Sequence, residues 1–101
     1  MSDRFYTLAL WRVKEGHEDE FLRVWREELA SAFRNVDPAA QGTLIQSLED
    51  PHLFYSFGPW DSLEQMQIAR SDPHTRAALG HLIALCDEAK PGPFRVVLTI
   101  P

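Results

Sequence analysis

Residues 54–65 read FYSFGPWDSLEQ, and the order of residue types in this stretch decides what lies on either side of it. Aromatic residues alternate with Ser56 up to Phe57, in the two-residue period of a strand. Gly58 and Pro59 interrupt that period. Proline has no N–H to give to a ladder, so the strand is expected over residues 53–58. Asp61 or Ser62 then stands where a helix N-cap belongs. Asp61 with Glu64, or Ser62 with Gln65, has the spacing of a capping box. The stretch is a strand-to-helix junction with Trp60 between the two elements. Its aromatic surface either joins the core or walls a pocket.

Reading toward the N-terminus, EDPH (49–52) forms a turn and TLIQSL (43–48) alternates as a strand, so 43–58 is an antiparallel hairpin. NVDPAAQG (35–42) is a loop. HEDEFLRVWREELASAF (17–33) has helical spacing, with Phe21, Leu22, Trp25, Leu29, Ala32 and Phe33 on one stripe and three acids in its first turn. FYTLALWRV (5–13) is a strand with Phe5, Thr7, Ala9, Trp11 and Val13 on one face. Its other face, with Tyr6, Leu8 and Leu10, is also largely apolar.

Toward the C-terminus, SLEQMQIAR is a short helix. Asp72-Pro73 supplies an N-cap and first-turn proline for a second, expected over 74–89 with Ala78, Leu82, Leu85, Cys86 and Ala89 on its stripe. KPGP (90–93) ends it, and FRVVLTI (94–100) is the last strand. The order β-α-β-β-α-α-β predicts an α+β fold, a four-stranded antiparallel sheet with helices on one face, in a single domain over 1–101. Nothing in the chain remains to cover the second sheet face. A homodimer, sheet against sheet, is the simplest cover.

The 101 residues suit one domain, and 45% hydrophobic residues suit a folded one. The net charge of −5 with no run of Lys or Arg speaks against nucleic acid as a partner. The first ten residues, MSDRFYTLAL, lack the pattern of a signal peptide, and no apolar run is long enough to span a membrane. With a single cysteine, Cys86, the expectation is a cytoplasmic protein without disulfides. There is no HExxH, no CxxC and no pair of histidines four apart, so no metal is expected. No glycine-rich phosphate loop is present, so no nucleotide cofactor is expected either.

WRVKEGHEDEF (11–21), FYSFGPWDSLE (54–64) and SDPHTRA (71–77) together resemble the antibiotic biosynthesis monooxygenase domain family. The resemblance covers nearly the whole chain. It implies a ferredoxin-like fold, a dimeric α+β barrel, and a pocket between helices and sheet in each subunit. It also implies a choice among activities, of which cofactor-free oxygenation of polycyclic phenols and quinols is the leading one. On that basis Thr7, Ala9 and Trp11 are expected to floor the pocket, Phe21, Trp25 and Phe33 to form the opposite wall, and Tyr55, Phe57 and Trp60 to close the strand end. The ligand would be a small planar aromatic. His74 is the candidate for moving a phenolic proton, alongside Tyr55 and Trp60, and His81 lies seven residues on. The plain alternative makes the aromatics a core and the histidines solvated. Arg12, Arg70, Arg76 and Arg95 could meet an anionic substrate, or be ordinary surface charges.

Haem-degrading relatives resemble one another in an Asn on the first strand and a Trp and a His on later helices. The matching positions here are Ala9, Ala69 and Ala78, which speaks against that chemistry. A non-catalytic barrel that binds a small ligand remains the other reading. Cys86 is read as an inert core thiol on a helix.

Overall fold

A computed structural model describes residues 4–101. Four strands form one antiparallel sheet in the order β2-β3-β1-β4: β1 (Phe5–Val13), β2 (Thr43–Gln46), β3 (Leu53–Trp60) and β4 (Cys86–Arg95). The helices α1 (Glu18–Val24), α2 (Ala30–Val36), α3 (Leu63–Ser71) and α4 (Pro73–Ala84) supply the covering layer. A π-helical turn, Trp25–Leu29, joins α1 to α2 in one continuous rod. Gly16 makes the turn into that rod with φ of +86°, a conformation that disfavours side-chain-bearing residues. Ser62 caps α3 by accepting from the Gln65 N–H, and Asp72 caps α4 by accepting from those of His74 and Thr75.

β1 lies between β3 and β4, and its face bearing Ala9, Trp11 and Val13 is buried under the helices. Phe21 packs edge-on to Trp11 with ring centroids 5.6 Å apart, and lies 5.4 Å from Phe54. Val24, Leu29, Ala78, Leu82 and Leu85 complete this core. A second cluster, Trp60, Met66 and Ala69, closes the other end.

Four expectations change. The strand expected over 53–58 continues to Trp60, with Pro59 inside it opposite Tyr6. β2 pairs only as far as Phe57, so Pro59 lies where β3 has no neighbour on that side. The last helix stops at Ala84 and not at 89, and the last strand covers 86–95 and not 94–100. Pro91 and Pro93 do not end a helix there; they sit in a sheet-edge strand, two residues apart, where both missing donors fall on one side of the chain. Cys86 therefore opens a strand, opposite Val13 at a register shift, instead of lying on a helix. Finally, the stripe of the first helical rod contains Val24 and not Leu22, which is exposed. The π turn spaces the buried Val24 and Leu29 by five residues, a step that a 3.6-residue period does not anticipate.

The face of the sheet away from the helices carries Tyr6, Leu8, Leu10, Ile45, Tyr55, Phe57 and Phe94, and no element among the described residues covers it. Beyond Arg95 the chain has no regular structure. Val97, Leu98 and Ile100 are at least 84% exposed there. Among the described residues no helix is long and apolar enough to cross a membrane.

Gly58 has no room for a side chain: a Cβ there would overlap the carbonyl oxygen of Gln41 and crowd Gly42. Gly58→Ala is expected to lower stability by about 1–3 kcal/mol, the usual cost of overpacking a rigid site. Urea denaturation checks this, and an unchanged midpoint would mean that the 41–42 loop yields freely.

Candidate functional site

Two adjoining hollows open between the helical layer and the sheet. The larger, about 170 Å³, lies between the Trp25–Arg34 segment, the Ala40–Gly42 loop and β3. The smaller, about 40 Å³, is bounded by β1, β4, Arg70 at the end of α3, and Thr75 and Leu79 of α4. Thr7, Leu29, Phe33 and Ser56 line both. The π turn contributes Trp25, Arg26 and Leu29 to the larger hollow, consistent with the tendency of such turns to occur at functional sites.

The polar floor is built from two indole–hydroxyl pairs. The Trp11 indole N–H donates to Ser56 Oγ at 2.9 Å, within the buried core. The Trp60 indole N–H donates to Thr7 Oγ1 at 3.2 Å. Both bonds follow from register, because Ala9 lies opposite Ser56 and Thr7 opposite Gly58 on the helix-facing side. A hydroxyl that accepts from an indole keeps its own O–H. Ser56 and Thr7 therefore present fixed oxygens whose protons can be donated to a ligand. Phe33, edge-on to Trp60 with centroids 5.3 Å apart, is held in place as a wall.

Of the residues expected at the site, Thr7, Ala9, Trp11, Trp25 and Phe33 line one hollow or the other, and Phe57 borders the larger one with its side chain on the far face of the sheet, in phase with Tyr55. Phe21 lines neither; it is fully buried between Trp11 and Phe54. Trp60 is also core, and touches the site through Thr7. Tyr55 sits on the opposite face of the sheet, across from Leu10 and Ile45, because β3 runs in phase through Trp60 and so turns Ser56, not Tyr55, toward the helices. His74 is exposed and borders a separate depression with Glu27 and Glu28. His81 Nδ1 lies 3.1 Å from Glu28 Oε1, and its Nε2 lies 3.5 Å from Glu20 Oε1, away from both hollows. Of the four arginines considered for an anion, only Arg70 reaches the site. Arg12 pairs with Asp50 and Glu88, and Arg95 stacks on Phe5.

Beside Thr7 and Arg70, the hydroxyl, amide and guanidinium side chains of the lining are those of Ser56, Arg26, Arg34, Gln41 and Thr75. Thr75 could have been found by phase, since 75, 78 and 82 share a helical face. Arg26 and Arg34 carry no such signal. Among the described residues no group of three or more His, Cys, Asp or Glu side chains is arranged to hold a metal ion. Burial, with Asp87 adding to it, pushes the Cys86 thiol up to about 11. The Asp50 carboxyl is held below the usual range by the His52 N–H and by Arg12, in the turn that leads into β3.

Comparison with protein families matches residues 4–80 to the antibiotic biosynthesis monooxygenase model. The chain belongs to the antibiotic biosynthesis monooxygenase family. Among solved structures, this family member is similar to SnoaB, a cofactor-independent oxygenase from Streptomyces nogalater, with a TM-score of 0.82, 21% identity and 99% of each chain covered. It is also similar to a conserved protein from Methanosarcina mazei, with a TM-score of 0.77, 15% identity and 91% of each chain covered. A NIPSNAP family protein from Agrobacterium tumefaciens follows with a TM-score of 0.68 and 15% identity, over 96% of this chain and 89% of that one. At these identities the likeness establishes the fold. No curated protein matches the chain.

Ser56→Ala would leave the Trp11 indole N–H buried without a partner. The expected loss of stability is about 1–3 kcal/mol, the cost of an unpaired buried donor. Thermal or chemical unfolding measures it. The paired change Trp11→Phe with Ser56→Ala should cost less than the two single changes added together, and simple additivity would show that the bond contributes nothing.

Proposed function

We propose that this antibiotic biosynthesis monooxygenase family member oxidises a planar phenol, anthrone or quinol with molecular oxygen, without a metal or bound cofactor. The carrying observation is an aromatic and aliphatic slot, walled by Trp25, Leu29 and Phe33, with two oriented hydroxyls, Thr7 and Ser56, in its floor. Ala9 and Trp11 complete the binding surface, while Trp60 acts by positioning Thr7. The likeness of the fold to a cofactor-independent oxygenase supports this reading.

Among the described residues, no Asp, Glu, His, Lys, Tyr or Cys lines either hollow. The substrate must then supply its own acidity and lose its proton to water. The protein favours the resulting anion through the hydroxyl donors and the nearby guanidinium groups. Ground-state oxygen accepts one electron from such an anion. The substrate radical and superoxide combine to a carbon-bound peroxide, which takes up a proton. Loss of the remaining C–H proton with cleavage of the O–O bond leaves a carbonyl and releases water. For an anthrone methylene the four electrons removed equal the four that oxygen accepts, and no reductant is consumed. The residues have to hold the ring, favour the anion and limit bulk water. At about 170 Å³ the larger hollow falls below the ~300 Å³ of ordinary ligand pockets. A fused-ring substrate therefore extends toward the smaller hollow.

The lack of a lining base equally favours a second reading, a barrel that binds a small aromatic ligand without turnover. We also propose a C2 homodimer formed through the uncovered apolar sheet face, since isolated domains rarely leave so continuous an apolar surface in water.

Metal-free protein mixed with an anthrone or quinol should consume one oxygen per substrate faster than a boiled control. Phe33→Ala should slow it by about tenfold or more through loss of ring positioning. Saturable binding with no oxygen uptake would select the non-catalytic reading. Light scattering should give twice the chain's 11.6 kDa, falling toward the single mass on Leu10→Asp. A monomer at micromolar concentration would overturn the dimer.

A further inference from the structure

We propose that the smaller hollow is the subsite for dioxygen and for the superoxide anion made from it, with Arg70 and Thr75 as the groups that hold that anion beside the ring. This rests on the oxygenase reading of the cleft, and deepens it by giving the second reactant a place and two named residues.

Thr75 is the first observation. Its side chain is completely buried and lines the smaller hollow, yet its Oγ1 has no hydrogen-bond partner among the described residues. A buried hydroxyl without a partner is costly, and folded proteins normally provide one. An anion formed in the hollow supplies the missing acceptor.

Arg70 is the second and independent one. It lies in the last turn of α3, lines the same hollow, is half-buried, and pairs with no carboxylate among the described residues. The Trp11 indole N–H is already given to Ser56. The other polar side chains on this hollow are the Arg70 guanidinium and the hydroxyls of Thr7, Ser56 and Thr75. All four can donate, and no carboxylate or amide oxygen in the lining competes with a ligand for them.

Size and polarity name the occupant. About 40 Å³ excludes an aromatic ring but accommodates a diatomic molecule, since one water needs about 10–15 Å³ of such space. The rest of the wall is largely apolar, formed by Ala9, Leu29, Phe33, Leu79 and Pro91. Apolar cavities take up small neutral molecules such as xenon. The apolar part suits dioxygen as it enters, and the four donors suit the anion that it becomes. A fixed guanidinium favours superoxide over dioxygen by its charge, and so promotes the electron transfer without having to move. The two hollows share Thr7, Leu29, Phe33 and Ser56, which puts a ring in the larger one next to a diatomic molecule in the smaller.

The electrons balance. The ring anion gives one electron to dioxygen, leaving a ring radical and superoxide. Their unpaired electrons pair to form the carbon–oxygen bond, and the peroxide carries the negative charge. Arg70 keeps its proton throughout, so it holds charge and transfers nothing.

Oxygen kinetics and a small-anion probe test this together. With an anthrone as substrate, Arg70→Gln should lower kcat/KM for oxygen about tenfold or more, with a smaller change in that for the anthrone. It should also divert part of the oxygen into free superoxide, read as cytochrome c reduction that superoxide dismutase abolishes. Thr75→Val should lower kcat/KM for oxygen severalfold, yet leave the ligand-free protein as stable as before or more so, because the hydroxyl removed has no partner to lose. A purely structural threonine would behave in the opposite way. Azide, a small linear monoanion, should inhibit competitively with oxygen. In the absence of oxygen and substrate it should shift the Arg70 Nε–H resonance saturably, and Thr75→Val should weaken that binding. Oxygen kinetics and superoxide release unchanged in both variants overturn the subsite and leave the oxygenase standing. Azide bound at Arg70, with no oxygen uptake from any anthrone or quinol, overturns the oxygenase and the superoxide role with it.

Discussion

Trp11 is fully buried, and its indole N–H has to be satisfied inside the core. Ser56 Oγ satisfies it, from the neighbouring strand and on the same face. Much of the site is tied to that one bond. It belongs to a register in which Phe54, Ser56, Gly58 and Trp60 face the helices and Tyr55 and Phe57 face away. A slip of one residue would turn every one of these side chains over. The same register brings Trp60 to Thr7, so a second indole–hydroxyl pair forms two rungs further along. The cleft floor is a by-product of packing two tryptophans: each needs an acceptor, and each acceptor retains a proton that faces the cavity.

The aromatics divide between structure and site. Trp11, Phe21 and Phe54 hold the centre of the core. Trp25 and Phe33 stand at its border and also line the larger hollow. Their placement depends on the π turn, which rotates the second half of the helical rod relative to the first. Gly42 and Gly58 matter for a related reason. A Cβ on Gly42 would press on the Trp25 ring, and one on Gly58 would collide with the loop that edges the hollow. Small residues keep the cavity open where larger ones would fill it.

Fold and chemistry separate clearly here. The same architecture is found in an oxygenase and in a NIPSNAP family protein, so activity has to be argued from the lining residues. That lining lacks a general base and contains arginines and hydroxyls. Such a site can favour an anion and hold it away from water. Under the proposed oxygenation, the hard chemistry rests with a substrate that ionises readily and gives up electrons readily.

The sequence by itself determined the element order, the hairpin, the caps at Ser62 and Asp72, and the apolar character of both faces of β1. These depend on periodicity and on local hydrogen bonding, which short stretches encode. Thr7, Ala9 and Trp11 were legible as cleft residues because the strand face and the family resemblance agreed. Tertiary structure alone decided the rest. Pro59, Pro91 and Pro93 look like breakers, but a strand tolerates them where one side has no partner, and partners come from distant parts of the chain. The phase of β3 depended on whether the strand continued through Pro59, so Tyr55 was expected where Ser56 lies. The five-residue step at the π turn has no signature in a 3.6-residue period. Arg70 and Thr75 border one hollow only because α3 and α4 fold back over the sheet. Which charges converge on a cavity is set by non-local packing, and no local pattern records it.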